Sequence, residues 1–319
     1  MNPFDTMESG NARSASSDLP IDLQVQSRLV DIGRLVSLPN TTFRLLNLLM
    51  SENTSAKDLQ QVMEQDPGLT AKVISLSNSS IYSVRNPVST IDRAITIIGF
   101  KELEIIALGI GLTETFDLRK VPPGFDGRAL WLHSLAVSWI GRELAVATGA
   151  ADPGEAMIGG LLHELGLIIL VSKFPIHFNQ LLDLINSGQT LQDAETALSL
   201  RHEIIGYHLA RNWGLPKVFQ EVILYHHFPQ SSPVNTKLTS IISLADNLAH
   251  RSGYGIGIES VSIDLPNILG ILDLKIDKLQ QLIKDILTAI PKVEQMWTQL
   301  LNGSKPAQKA GGRLSTKFS

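Results

Sequence analysis

The chain has 319 residues, of which 44% are hydrophobic and 18% charged, with a net charge of −4 and no cysteine. That balance supports a buried core, excludes wholesale disorder and gives no electrostatic field favouring nucleic acid. Without cysteine there are no disulfides or thiolate metal sites, so a metal would be held by nitrogen and oxygen alone; this also fits a reducing cytoplasm.

Residues 1–20 are rich in Ser, Asn and Asp and are expected to be disordered. They lack a basic start followed by an apolar core, so they are no secretory signal. Leu29, Ile32, Leu35 and Val36 share one helical face, as do Leu45, Leu48 and Leu49 in the next segment. Spacings of three and four predict helices that bury one stripe. Asp66 before Pro67 predicts an N-cap and a first-turn proline, Asn78 and Ser79 a helix end, and Gly99 a C-cap. The apolar run 94–112 is broken by Lys101, Glu102 and Glu104. Gly160–Val171 spans only twelve residues and contains His163 and Glu164. Neither reaches the roughly 20 apolar residues that span a bilayer, so a soluble, cytoplasmic protein with no membrane contact is expected.

Pro122-Pro123-Gly124 is the strongest internal boundary. It separates a helical lobe, 21–121, from a second helical lobe, 122–250, and all eight histidines follow it. Two lobes packed into one unit are expected. Other loops are marked at Asn86-Pro87, Asp152-Pro153-Gly154 and Ser231-Ser232-Pro233, and Thr190 with Asp193 marks a helix start. Alternating patterns are scarce; Gly257–Ile263 is a short piece that could pair as a strand. Residues 251–302 read as a helical extension. Residues 303–319 carry Lys305, Lys309, Arg313 and Lys317 and no acid, a flexible basic tail that either solubilises the terminus or touches an acidic partner weakly. The fold class is all-α.

The chemistry-bearing residues are His133, the pair His163-Glu164, His202, the doublet His226-His227, and Asp246. Imidazoles and carboxylates can converge on a metal when helices pack around one pocket. Taken singly, His133 on the apolar helix 130–147 reads more often as a hydrogen-bonded core residue than as a ligand, and for Asp246 within 242–248 a structural hydrogen bond is the main competing reading. Glu164, inside an apolar helix over 158–171, is costly to bury unless paired or metal-bound. Adjacent helical residues point about 100° apart, so His226 and His227 share a pocket only with two metals or a distorted helix end.

The order Leu38-Pro39-Asn40, Asp58-Leu59, Gln65-Asp66-Pro67-Gly68-Leu69, Lys72 to Ser79, Ile91-Asp92-Arg93-Ala94-Ile95 and Ile98-Gly99 resembles the HDOD family, the HD-related output domains of bacterial signalling proteins. Trp131-Leu132-His133-Ser134, Gly160 to Gly166, Arg201 to Gly206, Trp213-Gly214-Leu215-Pro216 and His226-His227 continue the match over about residues 25–250. The resemblance implies an N-terminal helical lobe packed on an HD-like helical bundle. It also implies an output or scaffolding role in signal transduction, with effects on biofilm, motility and stress responses.

By the same resemblance, His133, His163, Glu164, His202, His226, His227 and Asp246 stand where HD phosphodiesterases place metal ligands. Glu164 replaces an aspartate, and its extra methylene is expected to misplace a bridge between two ions. Catalytic HD-GYP relatives carry a lysine where this chain has Leu167, and a metal-binding glutamate where it has Ala129. Phe228-Pro229-Gln230 follows the doublet, and the Gly-Tyr-Pro segment is missing. The expected function is a non-catalytic signalling or scaffold protein with a degenerate pocket able to bind a divalent metal (iron, manganese, nickel or zinc). The alternative is a metal-dependent phosphohydrolase or phosphodiesterase acting on a nucleotide or cyclic dinucleotide. The partner implied is a signalling protein; the chain could also pair with itself, and direct nucleic-acid binding is disfavoured by charge.

Overall fold

Stripes at helical spacing, closed by capping side chains, account for nearly all the regular structure. The computed structural model describes residues 38–302 apart from 50, 52, 80, 81, 83, 117, 119, 120 and 259–261. The stripe at Leu29–Val36 and the two terminal segments, 1–20 and 303–319, lie outside the described residues. Helices run in the order α1 (Asn40–Leu49), α2 (Ala56–Glu64), α3 (Pro67–Ser77), α4 (Ile91–Ile98) and α5 (Phe100–Thr115) in the first part of the chain. The second part contains α6 (Gly127–Thr148), α7 (Pro153–Leu162), α8 (Leu165–Lys173), α9 (Pro175–Asn186), α10 (Leu191–Leu198), α11 (His202–Asn212), α12 (Lys217–Tyr225) and α13 (Thr236–Ala249). A π-type turn, His250–Tyr254, leads to α14 (Leu265–Ile271) and α15 (Ile276–Asn302). The described residues contain no strand, and 257–258 and 262–263 are irregular, so the strand considered at Gly257–Ile263 does not form there.

Most of the caps follow the rules read from sequence. Asp66 accepts from the Leu69 amide ahead of Pro67, and Thr190 accepts from the Asp193 amide. Ser55 and Asp58 close a reciprocal capping box. Gly99, at φ 97°, ends α4 and opens α5. Asn78 ends α3 and also clamps the loop after it, its side chain bonding both N–H and C=O of Val88.

One apolar core runs from Leu45 on α1 to Ile258, passing across Pro122-Pro123-Gly124 without a gap. A second cluster gathers α6, α7, α13, α14 and α15 around Ile140, Ile242 and Leu279. Two features of this packing place the chemistry. α6 and α7 pack side by side with α13 against both, and α8 crosses α11. The ends and breaks of these helices meet at one point.

Pro153–Lys173 is 21 residues long and apolar enough, by length and composition, to cross a membrane, which corrects the expectation that no run reaches that limit. Most of its apolar stretch is buried inside the fold. It is also interrupted: α7 ends at Leu162 and α8 begins at Leu165.

Candidate metal centre

The continuous helix expected over 158–171 breaks at His163-Glu164, and the break is what aims both side chains inward. The His163 ring Nδ1 lies 2.7 Å from the Gly160 carbonyl oxygen. That carbonyl is the one a continuing helix would offer to the Glu164 amide. Glu164 leaves helical geometry at φ −91°, ψ 20°. His133 projects from α6, His202 opens α11, and Asp246 lies near the end of α13. α12 stops at Tyr225, so His226 and His227 occupy the turn after it. Both face His202, with Nε2 separations of 3.4 and 3.2 Å.

The structure thus brings together all seven residues singled out from sequence. His133, His163, His202 and His226 are fully buried, Glu164 and Asp246 nearly so. His227 is half-buried. The donors form two neighbouring groups. In the first, His133 Nε2 lies 3.3 Å from His163 Nε2 and 3.2 Å from Asp246 Oδ1. In the second, His202 Nε2 faces His226, His227 and, at 3.5 Å, Glu164 Oε2.

Two ligands on a tetrahedral ion at about 2.1 Å stand about 3.4 Å apart, a spacing that these donors match. Proton placement agrees. Nδ1 of His133 faces the Tyr254 carbonyl at 2.9 Å, that of His163 the Gly160 carbonyl, and that of His226 the Ile223 carbonyl at 2.9 Å. Carbonyl oxygens only accept, so each neutral ring carries its proton on Nδ1 and presents a bare Nε2 lone pair to the centre. Asp246 Oδ1 and Glu164 Oε2 are buried without a hydrogen-bond donor. Lone pairs facing lone pairs in a buried setting are costly, and either a proton on an imidazole or a metal ion relieves them.

The same order of residues decides the family. The HDOD domain profile matches residues 35–229, more than half of the sequence. The chain belongs to the HDOD family. Three solved structures share its fold. An HDOD domain protein of unknown function from Geobacter sulfurreducens is 23% identical, with a TM-score of 0.71, covering 86% of this chain and 99% of that one. A Marinobacter aquaeolei VT8 protein named for signal transduction is 22% identical, TM-score 0.72, covering 88% of this chain and 65% of that one. A Shewanella amazonensis SB2B protein named as a phosphohydrolase is 24% identical, TM-score 0.67, covering 85% and 97%. At these identities the likeness is one of fold. No curated protein matches the chain. Asp246 lies beyond the matched HDOD segment, so the centre draws on chain that the family profile does not cover.

Sequence reading missed three residues of this HDOD site. His250 lies 3.4 Å from Asp246 Oδ1 through Nε2. Glu195 accepts from both the His202 backbone N–H and its ring Nδ1, at 3.2 and 2.6 Å. Glu203 stands 3.7 Å from the same Nδ1 and is held by Arg201 at 2.9 Å. Glu164 Oε1 lies 4.0 Å from His163 Nε2 and its Oε2 3.5 Å from His202 Nε2, so the carboxylate stands between the two groups.

Burial favours the neutral ring at His202, yet Glu195, Glu164 and Glu203 outweigh it and raise the imidazole to about 10. Burial at His133 is likewise outweighed by Asp246, and its pKa lies above the ordinary range. Burial and neighbouring imidazoles push His163 and His227 well below it. Burial alone would raise Asp246; His133, His163 and His250 instead hold its carboxyl far below the usual range. Protons on His133 and His202 therefore supply positive charge in the pocket, and a metal ion taken up there would displace them.

Glu195 fixes the tautomer and orientation of His202, the carboxylate–histidine arrangement that raises ligand basicity. Glu195→Gln keeps the shape and removes the charge. Its expected effect, read by chelator competition, is a loss of about 10–100-fold in metal affinity at the His202 group, with the fold retained by circular dichroism.

Proposed function

We propose that this HDOD protein is a non-catalytic bacterial signalling module, an output or scaffold element, whose degenerate HD-type pocket holds metal as a structural pin. The observation that carries the reading is closure. His202, His226 and His227 offer three donors within 4.8 Å of one another with Glu164 Oε2 3.5 Å from His202, and His133, His163 and Asp246 converge on a second position with Glu164 Oε1 4.0 Å from His163. Sites that fill four positions with protein ligands are structural, whereas catalytic ones keep a position for water. The pocket is also nearly sealed, since four of its imidazoles are fully buried. A phosphodiesterase needs positive groups on substrate phosphate. Among the described residues, the ion pairs of Glu164 and Asp246 are all with histidines, and Leu167 is buried in the apolar core.

Iron, manganese, nickel and zinc all suit these nitrogen and oxygen donors. Bound there, a divalent ion supplies fixed charge that ties α6, α11 and α13 to the α7–α8 break and the turn after α12. The reading places the protein in the cytoplasm, acting through a signalling protein partner or a second copy of itself, with no membrane or nucleic-acid contact.

One observation favours the second reading, a metal-dependent phosphohydrolase or phosphodiesterase acting on a nucleotide or cyclic dinucleotide: Glu164 reaches both donor groups, as a bridge in a two-metal hydrolase does. Elemental analysis of protein purified without chelator, paired with hydrolysis assays on cyclic dinucleotides and a generic phosphodiester, separates the two. The expected result is bound metal, loss of that metal in His163→Ala, and no turnover. Turnover abolished by His163→Ala would establish the hydrolase instead. Metal content unchanged in His163→Ala would mean that these histidines are not a metal site.

A further inference from the structure

The π-type turn 250–254 touches the centre twice and the C-terminal helix once. His250 follows Asp246 by four residues, which puts both on one face at the end of α13. Its Nε2 lies 3.4 Å from Asp246 Oδ1, and its ring centroid 4.7 Å from that of His133. His133, Asp246 and His250 each offer a ligand atom, all within 4.8 Å of one another. The His250 side chain is 13% exposed, so this donor sits at the rim. Four residues on, the Tyr254 carbonyl accepts from His133 Nδ1 and so sets which nitrogen His133 turns to the centre. The Tyr254 hydroxyl, on the other side, donates to Glu294 on α15 at 3.0 Å.

α15 packs against α6, the helix that carries His133. It runs antiparallel to it. Lys278, near the start of α15, bonds the Ala147 carbonyl at the end of α6, while Thr298, near the end of α15, accepts from Arg128 at the start of α6. The Tyr254–Glu294 bond falls between these ties. The turn and α15 lie beyond the segment matched by the HDOD profile, whereas α6 lies within it.

We propose that His250 is a further ligand of the metal position built on His133, His163 and Asp246, and that the turn supplying it makes loading of that position depend on the docking of α15. The inference rests on the reading above that the centre holds metal. An ion at this position draws in His250 and fixes His133 against the Tyr254 carbonyl. Both contacts favour the turn geometry in which the Tyr254 hydroxyl reaches Glu294. Coupling of this kind is reciprocal: whatever factor docked α15 adds to metal affinity, metal adds to α15 docking. A scaffold protein thereby exposes the state of a buried centre on an external helix, where a partner protein can read it.

The test uses the full chain, stripped of metal and titrated with Zn²⁺ and separately with Mn²⁺. Wild type is compared with His250→Ala, Tyr254→Phe and Glu294→Gln. Chelator competition gives affinity at each position, and hydrogen exchange follows the backbone of α15. Expected results are loss of the first position in His250→Ala, with the His202 position retained. Tyr254→Phe and Glu294→Gln, which alter no ligand and keep the Tyr254 carbonyl, weaken the first position about fivefold or more. Exchange in α15 slows on metal addition in wild type and responds less in those two variants. Wild-type affinity at both positions in His250→Ala, or α15 exchange indifferent to metal, overturns this inference while leaving the metal-pin reading intact. A wild-type chain that takes up no ion overturns both.

Discussion

Gly166→Ala is expected to destabilise the protein by more than about 4 kcal/mol, enough to leave little of it folded at 37 °C. A Cβ added at Gly166 would lie 1.8 Å from the His202 carbonyl oxygen, 2.7 Å from its carbonyl carbon and 2.8 Å from the Gly206 amide nitrogen. All three are backbone atoms, so no side-chain rotation relieves the overlap. Ordinary overpacking costs about 1–3 kcal/mol because neighbours can shift. Here relief requires α8 and α11 to separate, and the contact falls on His202 itself. Any variant protein that does fold should therefore lose metal at the His202 position first. Gly270→Ala on α14 is the control. A Cβ there meets nothing within 4 Å, and the expected change is neutral or a gain of up to about 1 kcal/mol. Urea denaturation of the two variants beside wild type checks the contrast. Similar midpoints for all three would show that the α8–α11 crossing is not the tight element it appears from its geometry.

What could be read from sequence, and what could not, divides along physical lines. The all-α class and the caps at Asp66, Thr190 and Gly99 were legible because spacing and capping are local. The six positions His133, His163, His202, His226, His227 and Asp246 were legible as a set because their order, not their individual surroundings, carries the information. The break at His163-Glu164 was hidden inside a run apolar on every side, where periodicity gives no phase. The ring-to-carbonyl contact that accompanies it depends on a single residue. Glu195 did leave a signal: with Leu191, Ala194 and Leu198 at spacings of three and four, it occupies a core position that calls for an apolar side chain. A carboxylate in such a stripe needs a buried partner, and His202 is that partner. His250 also left one, in its four-residue spacing from Asp246, but only the tertiary fold shows which of its faces meets the centre. Localisation and the membrane question were judged from run lengths; Pro153–Lys173 shows the weakness of that measure, since burial inside a helical core produces the same composition as a lipid-facing span.

His202→Ala is expected to cost the metal-free protein about 3–5 kcal/mol near neutral pH, because it removes one partner from a buried charged cluster. Glu195, Glu164 and Glu203 surround this ring, and Arg201 pairs with Glu203. Its pKa of about 10 in the fold exceeds the value of about 6.5 in an unfolded chain. A group raised on folding stabilises fully below its unfolded pKa, and that stabilisation is lost as pH rises through the folded value. Metal-free wild type should therefore lose stability progressively between about pH 6.5 and about pH 10, and His202→Ala should show a much flatter slope over the same window. Metal affinity should move the opposite way in wild type, strengthening with pH, because uptake displaces the His202 proton. Urea midpoints at about pH 6.5 and about pH 9.5, with and without Zn²⁺, resolve both trends. Parallel pH dependence in wild type and His202→Ala would place the stabilising proton on another group and would remove His202 as the point where folding, protonation and metal meet.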